Sequence, residues 1–84
     1  MPRVKAFALA GWRLWWFSGD HRPMHFHAEC VDRFELRVHV ETLEYEVRWR
    51  DGRVSERKVK QLLKLAEEHM DELLLEAATV VQWE

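Results

Sequence analysis

Histidine is the residue type with the most chemical potential in this sequence, which contains five of them. Three of the five, His21, His25 and His27, lie close together in the chain. The segment 25–30 is predicted to be a strand, and successive side chains of a strand point to opposite faces. Alternation therefore puts His25, His27 and Glu29 on one face. Two imidazoles and a carboxylate are expected side by side on the surface of a sheet.

The next strand is expected to bring a third imidazole to the same face. A short connection predicts a hairpin, and matching apolar with apolar residues gives partners whose numbers sum to about 64. This register places His39 opposite His25. Opposed residues have Cβ atoms about 5 Å apart, so three imidazoles could reach one zinc-like ion. The ligands predicted for a divalent transition metal are His25, His27, His39 and His21, assisted by Asp20 and Glu29 as hydrogen-bonding or proton-accepting carboxylates.

A plainer interpretation of the same histidines stays open. A His-x-His pair arises easily by chance in a chain with five histidines, and histidines on a strand surface usually lie half solvated without a further role. His69 is separate, because it lies at the edge of the apolar stripe of a predicted helix, where a hydrogen-bonded histidine at the core or its rim is expected. No phosphate-binding glycine loop or serine nucleophile motif occurs. The sequence predicts no cofactor other than the metal, leaves catalysis undecided and leans towards a protein that is not an enzyme.

The elements that would position these residues are strands followed by a helix. Apolar and polar residues alternate up to residue 50, whereas from Ser55, a good N-cap residue, apolar residues recur at three- and four-residue spacing. The prediction is an α+β fold in which an antiparallel sheet of about four strands packs one long C-terminal helix on one face, in the order β-β-β-β-α. Within a single domain of residues 1–84, the predicted strands are 4–17, 25–30, 33–41 and 43–50, and the helix is 56–78. The pattern does not decide the conformation of residues 79–84.

Large aromatic residues crowd the first predicted strand. Alternation puts Trp12 and Trp16 on one face and Trp15 and Phe17 on the other, so the two sets cannot both enter one core. Tryptophan is a common anchor of protein interfaces, and a chain of this length buries only about 60% of its unfolded surface. One set is expected to fill the helix-facing core and the other to be buried in an interface, in a homodimer or with a small protein partner. The candidate interface residues are Trp12, Trp15, Trp16 and Phe17.

Composition excludes several classes of protein. A chain of 84 residues is too short for a dinucleotide-binding fold, and 48% hydrophobic residues with 33% charged ones exclude a disordered chain. The net charge of −2 disfavours binding to nucleic acid through charge, although exposed aromatics beside arginines would suit stacking on single-stranded bases. No apolar run approaches the ~20 residues of a membrane span, and the single cysteine and the amino terminus show no sign of secretion. We expect no membrane association and a cytoplasmic location.

The segments 20–29 (DHRPMHFHAE) and 65–69 (LAEEH) resemble the small bacterial family called domain of unknown function 4160. The likeness spans nearly the whole chain. The positions that match the family pattern are His21, His25, Phe26, His27, Ala28 and His69. The positions that depart from it are Met24, Cys30, Thr42, Leu43 and Leu65. The resemblance implies a compact domain of helix and sheet with no established activity, encoded beside another small gene in the manner of a toxin–antitoxin pair.

Overall fold

The computed structural model describes residues 2–17 and 23–81. Four strands form one antiparallel sheet in the order β1-β2-β3-β4, which confirms the predicted α+β class, and two helices follow them. The elements are β1 (Trp12–Trp15), β2 (His25–Cys30), β3 (Phe34–His39), β4 (Tyr45–Arg50), α1 (Glu56–Glu68) and α2 (Met70–Val80). Neither of these two helices of the described residues is long and apolar enough to cross a membrane.

The hairpin of β2 and β3 has the register that apolar matching predicts. Phe26 pairs with Val38, and Ala28 pairs with Leu36. These four side chains are fully buried, and they belong to a core that also contains apolar residues of both helices. The helix residues in this core are Val59, Leu62, Ala66, Leu73 and Ala77. The helices therefore cover one side of the sheet, the helix-facing side, and the opposite side is the outer face.

The prediction of one long helix over 56–78 is wrong, because the helix is interrupted at His69. The backbone of His69 has ψ 24°, whereas an α-helix has ψ near about −42°. Its imidazole stacks on Phe7 of the N-terminal segment, with ring centroids 5.9 Å apart, and its Nδ1 lies 3.3 Å from Glu72 Oε1. The apolar spacing continues across this break, so periodicity does not reveal it. After the break, α2 extends to Val80.

The first strand is shorter than the predicted 4–17. Gly11 adopts φ 85°, a left-handed conformation that glycine takes without strain, and the chain turns back there. The preceding residues then run beside β1: the N–H of Val4 donates to the carbonyl of Leu14 at 3.0 Å, and a single bridge pairs Arg3 with Trp15. The N-terminal segment therefore packs against β1 instead of extending it.

Leu43, one of the departures from the family pattern, lies in the turn between β3 and β4. It adopts φ 61°, which costs a residue with a side chain roughly 1 kcal/mol. Its side chain packs against the core, and this contact offsets part of the strain. Ser55, as predicted, caps α1, since its Oγ accepts from the N–H of Lys58 at 3.3 Å.

Candidate functional site

The outer face of the sheet brings three of the predicted ligand histidines together. His25 and His27 lie on β2, and His39 lies on β3 directly opposite His25. The ring centroid of His25 is 5.3 Å from that of His27 and 6.4 Å from that of His39. The other two predicted residues of this site, His21 and Asp20, lie outside the described residues.

Two of these histidines are buried, although they lie on the side of the sheet away from the helices. His25 is 3% exposed and His27 is 5% exposed. Trp15 of β1 stacks on the ring of His27, with centroids 5.6 Å apart, and Phe17 meets the same ring edge-on at 4.5 Å. Trp15 of β1 and Phe17, which follows this strand, thus pack on His27 of β2. Trp15, Phe17, His25, His27 and His39 form an aromatic–histidine cluster, and the interpretation of its two β2 members as half-solvated surface residues is wrong.

Hydrogen bonding determines which ring nitrogen of His25 carries the proton. The Nδ1 of His25 lies 2.8 Å from the carbonyl oxygen of Pro23. A carbonyl only accepts, so Nδ1 carries the proton, and Nε2 is the basic nitrogen of the neutral ring. The Nδ1 of His27 lies 3.9 Å from Glu35 Oε2, while Glu35 Oε1 accepts from the indole N–H of Trp49 at 3.3 Å. Glu35 was not among the predicted site residues, although the alternation of β3 places it on the outer face.

The geometry of a metal site is not complete within the described residues. Across residues 2–17 and 23–81, no group of three or more His, Cys, Asp or Glu side chains is arranged to hold a metal ion. The ring of His25 is turned 72° from that of His27 and 53° from that of His39. Glu29, predicted to assist, lies 3.7 Å from the guanidinium of Arg13. The metal site stays a prediction, and it would need a side chain from outside the described residues.

The structure separates the four aromatic residues predicted at an interface. As alternation predicts, Trp12 and Trp16 lie on the helix-facing side, where Trp12 packs edge-on against Phe34 and Trp16 is 0% exposed. A residue without exposed surface cannot contact a partner, so Trp16 is a core residue in this fold. Trp15 is half-buried over His27, and of the four only Phe17 is exposed.

A groove of about 570 Å³ lies between the N-terminal segment and β1. Arg3, Glu29 and Glu35 line it together with apolar residues. Trp15 also lines it, and the indole N–H of Trp15 is buried without a hydrogen-bond partner among the described residues. Because Glu29 of β2 and Glu35 of β3 also line it, the groove depends on the folded sheet, and no local sequence pattern indicates it.

β4 is the most exposed element of the described residues. All six of its residues are exposed, and Tyr45, Val47 and Trp49 keep 42%, 44% and 40% of their surface accessible. Tyr45 pairs with Val38 and Val47 with Leu36, so both lie on the helix-facing side. The helices that bury Val38 and Leu36 completely therefore stop short of β4.

The backbone of β4 is also unpaired along one edge. β4 is the last strand of the sheet, and no strand of the described residues lies beyond it. The carbonyl of Glu44 accepts from the N–H of His39 at 2.8 Å and so points towards β3. Because this direction alternates along an antiparallel strand, the N–H and C=O groups of Tyr45 and Val47 point away from β3. This free edge of β4, which alternation along the chain does not distinguish from a central strand, has the features of a strand-addition site.

An ion pair on the outer face joins β3 to β4. The Nε of Arg37 donates to Glu46 Oε1 at 2.8 Å, and its Nη2 donates to the same oxygen. The hydrogen bond and charge of Arg37, followed by the charges of His39 and Arg48, hold the pKa of Glu46 below its ordinary value.

Replacing Arg37 by alanine is therefore expected to raise the pKa of Glu46 towards its ordinary value, as measured by NMR titration of the carboxyl carbon. Because folding lowers this pKa, the pair stabilises the fold above the pKa of the unfolded chain, and this contribution is lost as the pH falls through the folded-state pKa. Arg13→Ala removes a comparable charge beside Glu29 and should leave the pKa of Glu46 unchanged. An unaltered Glu46 titration in Arg37→Ala would contradict the assignment.

A protein-family model described as "Domain of unknown function (DUF4160)" matches residues 11–76. The matched span begins at the turn before β1 and ends within α2, so it includes the whole sheet and the free edge of β4. Comparisons with curated proteins and with solved structures found no match. Because the family model covers more than half of its 84 residues, the chain belongs to the DUF4160 family, whose function is unknown.

Proposed function

We propose that the protein is a protein-interaction module whose partner adds a strand at the free edge of β4. The observation that carries this proposal is the exposure of β4: Tyr45 and Val47 lie uncovered on the helix-facing side, and their backbone groups point away from β3. An added strand would bury both side chains and pair both sets of backbone groups, which is how extended segments bind to sheet edges.

The charges of the outer face favour a protein partner over a nucleic acid. The guanidinium of Arg13 lies beside Glu29, and that of Arg37 is bound by Glu46. Each of these cations is balanced by a carboxylate, whereas nucleic-acid binding depends on cations that neutralise phosphates. Most of the exposed large apolar residues lie on β4 and α2.

Two partners fit a strand-addition module. One is a second copy of this chain. The other is the product of a neighbouring small gene, in a two-gene pair of the toxin–antitoxin kind, which the family resemblance supports. Both would use the free edge of β4, and the same variants test both.

The proposal is tested by substitutions at Val47. Proline removes an N–H that points away from β3, so the β3–β4 ladder keeps its bonds while strand addition is blocked. Val47→Thr has a similar shape and keeps the N–H, so it is the matched control. We expect Val47→Pro to abolish self-association and binding of the co-expressed neighbouring gene product, measured by light scattering, and Val47→Thr to retain them.

Hydrogen exchange provides a readout that does not depend on substitution. The amide of Val47 should exchange rapidly in the isolated chain and slowly in any complex, whereas the amide of Glu46 should be protected in both. Rapid exchange at Val47 within a complex of proven mass would refute strand addition, as would complexes that form equally well with Val47→Pro.

The second candidate function is a divalent metal site for hydrolysis or sensing. It is supported by the clustering of His25, His27 and His39 on the outer face, with His21 as the further predicted ligand. Elemental analysis of protein purified without a tag should then give about one transition metal per chain. The metal should be lost in His39→Gln, which lies at the half-buried edge of the cluster, and kept in His69→Gln. Native protein without stoichiometric metal would refute this candidate.

A further inference from the structure

We propose that the partner at the free edge of β4 is a second copy of this chain, joined as an antiparallel β4–β4 pair centred on Val47. This inference rests on the proposed function and specifies its partner. It gives a two-fold symmetric dimer with one continuous sheet of eight strands, twice the four of one chain.

The charge sequence of β4 carries the argument. Residues 44–50 read EYEVRWR, so the charges change sign about Val47. In an antiparallel pair centred on Val47, Glu46 of each copy lies opposite Arg48 of the other. The two-fold axis generates this contact twice, and opposite charges on facing strands attract.

Every other two-fold register within the strand contains at least one contact between like charges. An axis at Tyr45 or Glu46 places two glutamates opposite each other, and an axis at Arg48 or Trp49 places two arginines opposite each other. Axes at Glu46 and Arg48 also create opposite-charge contacts, but only the axis at Val47 has opposite charges at every charged contact. Like charges directly opposite on neighbouring strands are destabilising. Charge therefore selects the axis at Val47 from the registers that this strand allows.

The structure leaves the required groups available. The N–H and C=O of Val47 point away from β3, so two copies of Val47 can exchange two hydrogen bonds. A register shift leaves Arg48 without a Cα partner on β3, and Arg48 is exposed. Both bonds from Arg37 go to Oε1 of Glu46, so Oε2 can accept from Arg48 of the second copy.

Apolar contacts would add to this pairing. Tyr45 and Val47 lie on the helix-facing side beyond the cover of the helices. In the dimer the two copies of Val47 meet at the axis, and each Tyr45 lies diagonally beside Val47 of the other copy. The paired segment of the two β4 strands ends before Trp49. The register shift after Val47 turns Trp49 to the outer face, where it contacts Glu35.

Charge reversal tests this register. In Arg48→Glu, glutamates face each other at both contacts, and in Glu46→Arg, arginines do. Each variant alone should weaken dimerisation roughly 10- to 30-fold, measured by sedimentation equilibrium. A mixture of the two variants restores opposite charges at both contacts, so it should form a mixed dimer with about the native affinity. Arg57→Glu on α1, an exposed residue away from the sheet edge, is the matched control and should dimerise normally.

The outcomes separate this inference from the proposed function. Native protein that stays monomeric up to about 1 mM overturns the homodimer, and a dimer that survives Arg48→Glu, or a mixture that does not recover, overturns the register. If Glu46→Arg does not fold, the dimerisation affinity of Arg48→Glu, compared with that of Arg57→Glu, tests the register. In each case the proposed function survives if Val47→Pro blocks binding of the neighbouring gene product. If Val47→Pro still binds that product, the proposed function fails together with the inference.

Discussion

Replacing Phe26 by alanine is expected to lower the free energy of unfolding by about 3–5 kcal/mol. Phe26 is fully buried in β2, and its ring packs edge-on against Phe7 at 6.1 Å and against Trp16 at 6.0 Å. The substitution removes the contacts to Trp16 and to the N-terminal segment together and leaves a cavity in the core. A chain of 84 residues has a total stability of about 4–13 kcal/mol, so much of it would be lost.

Urea denaturation followed by circular dichroism measures this loss. Leu75→Ala is the control, because Leu75 is 67% exposed on α2 and its truncation should change the stability by less than about 0.5 kcal/mol. Similar unfolding midpoints for the two variants would show that Phe26 does not lie in the core described here.

Replacing Glu76 by alanine is expected to cost about 2–3 kcal/mol, a large effect for a partly exposed residue. One oxygen of Glu76, Oε1, accepts from the indole N–H of the buried Trp16 at 2.8 Å and from the backbone N–H of Lys5 at 2.6 Å. This carboxylate therefore links α2 to the end of β1 and to the N-terminal segment. Hydrogen bonds to a charged acceptor are stronger than those between neutral groups.

Two further variants separate the hydrogen bonds from the charge. Glu76→Gln keeps an oxygen acceptor and should lose only about 1 kcal/mol, partly because a negative charge near the end of a helix is unfavourable. Glu67→Ala truncates an exposed glutamate of α1 and should be nearly neutral. If Glu76→Ala were no more destabilising than Glu67→Ala in thermal unfolding, the link through Glu76 would be refuted.

Local sequence pattern was sufficient for the strands that face the core on one side. In β3, apolar Phe34, Leu36 and Val38 alternate with polar residues, and a shift of one residue would have moved the whole apolar set to the outer face. The register of the β2–β3 hairpin and the position of His39 opposite His25 followed from this constraint. The α1 start at Ser55 followed in the same way from the change of period and the N-cap.

Contacts between distant segments account for what the pattern missed. His69 interrupts the helix where its ring stacks on Phe7, and residues this far apart leave no signal in a helical period. Glu35 belongs to the site because its two carboxylate oxygens lie near His27 of β2 and Trp49 of β4, and this arrangement depends on the assembled sheet. Glu76 is bound to Trp16 across 60 positions of the chain.

The sequence by itself determined which residues share a face, since the two-residue period of a strand and the near-four-residue period of a helix are properties of the local backbone. It placed the histidines together, and it contains the charge inversion about Val47. Only the tertiary structure decided which faces are covered. It buried His27 beneath Trp15 and left Tyr45 and Val47 of β4 open, because burial depends on how far the helices and the neighbouring strand extend over the sheet.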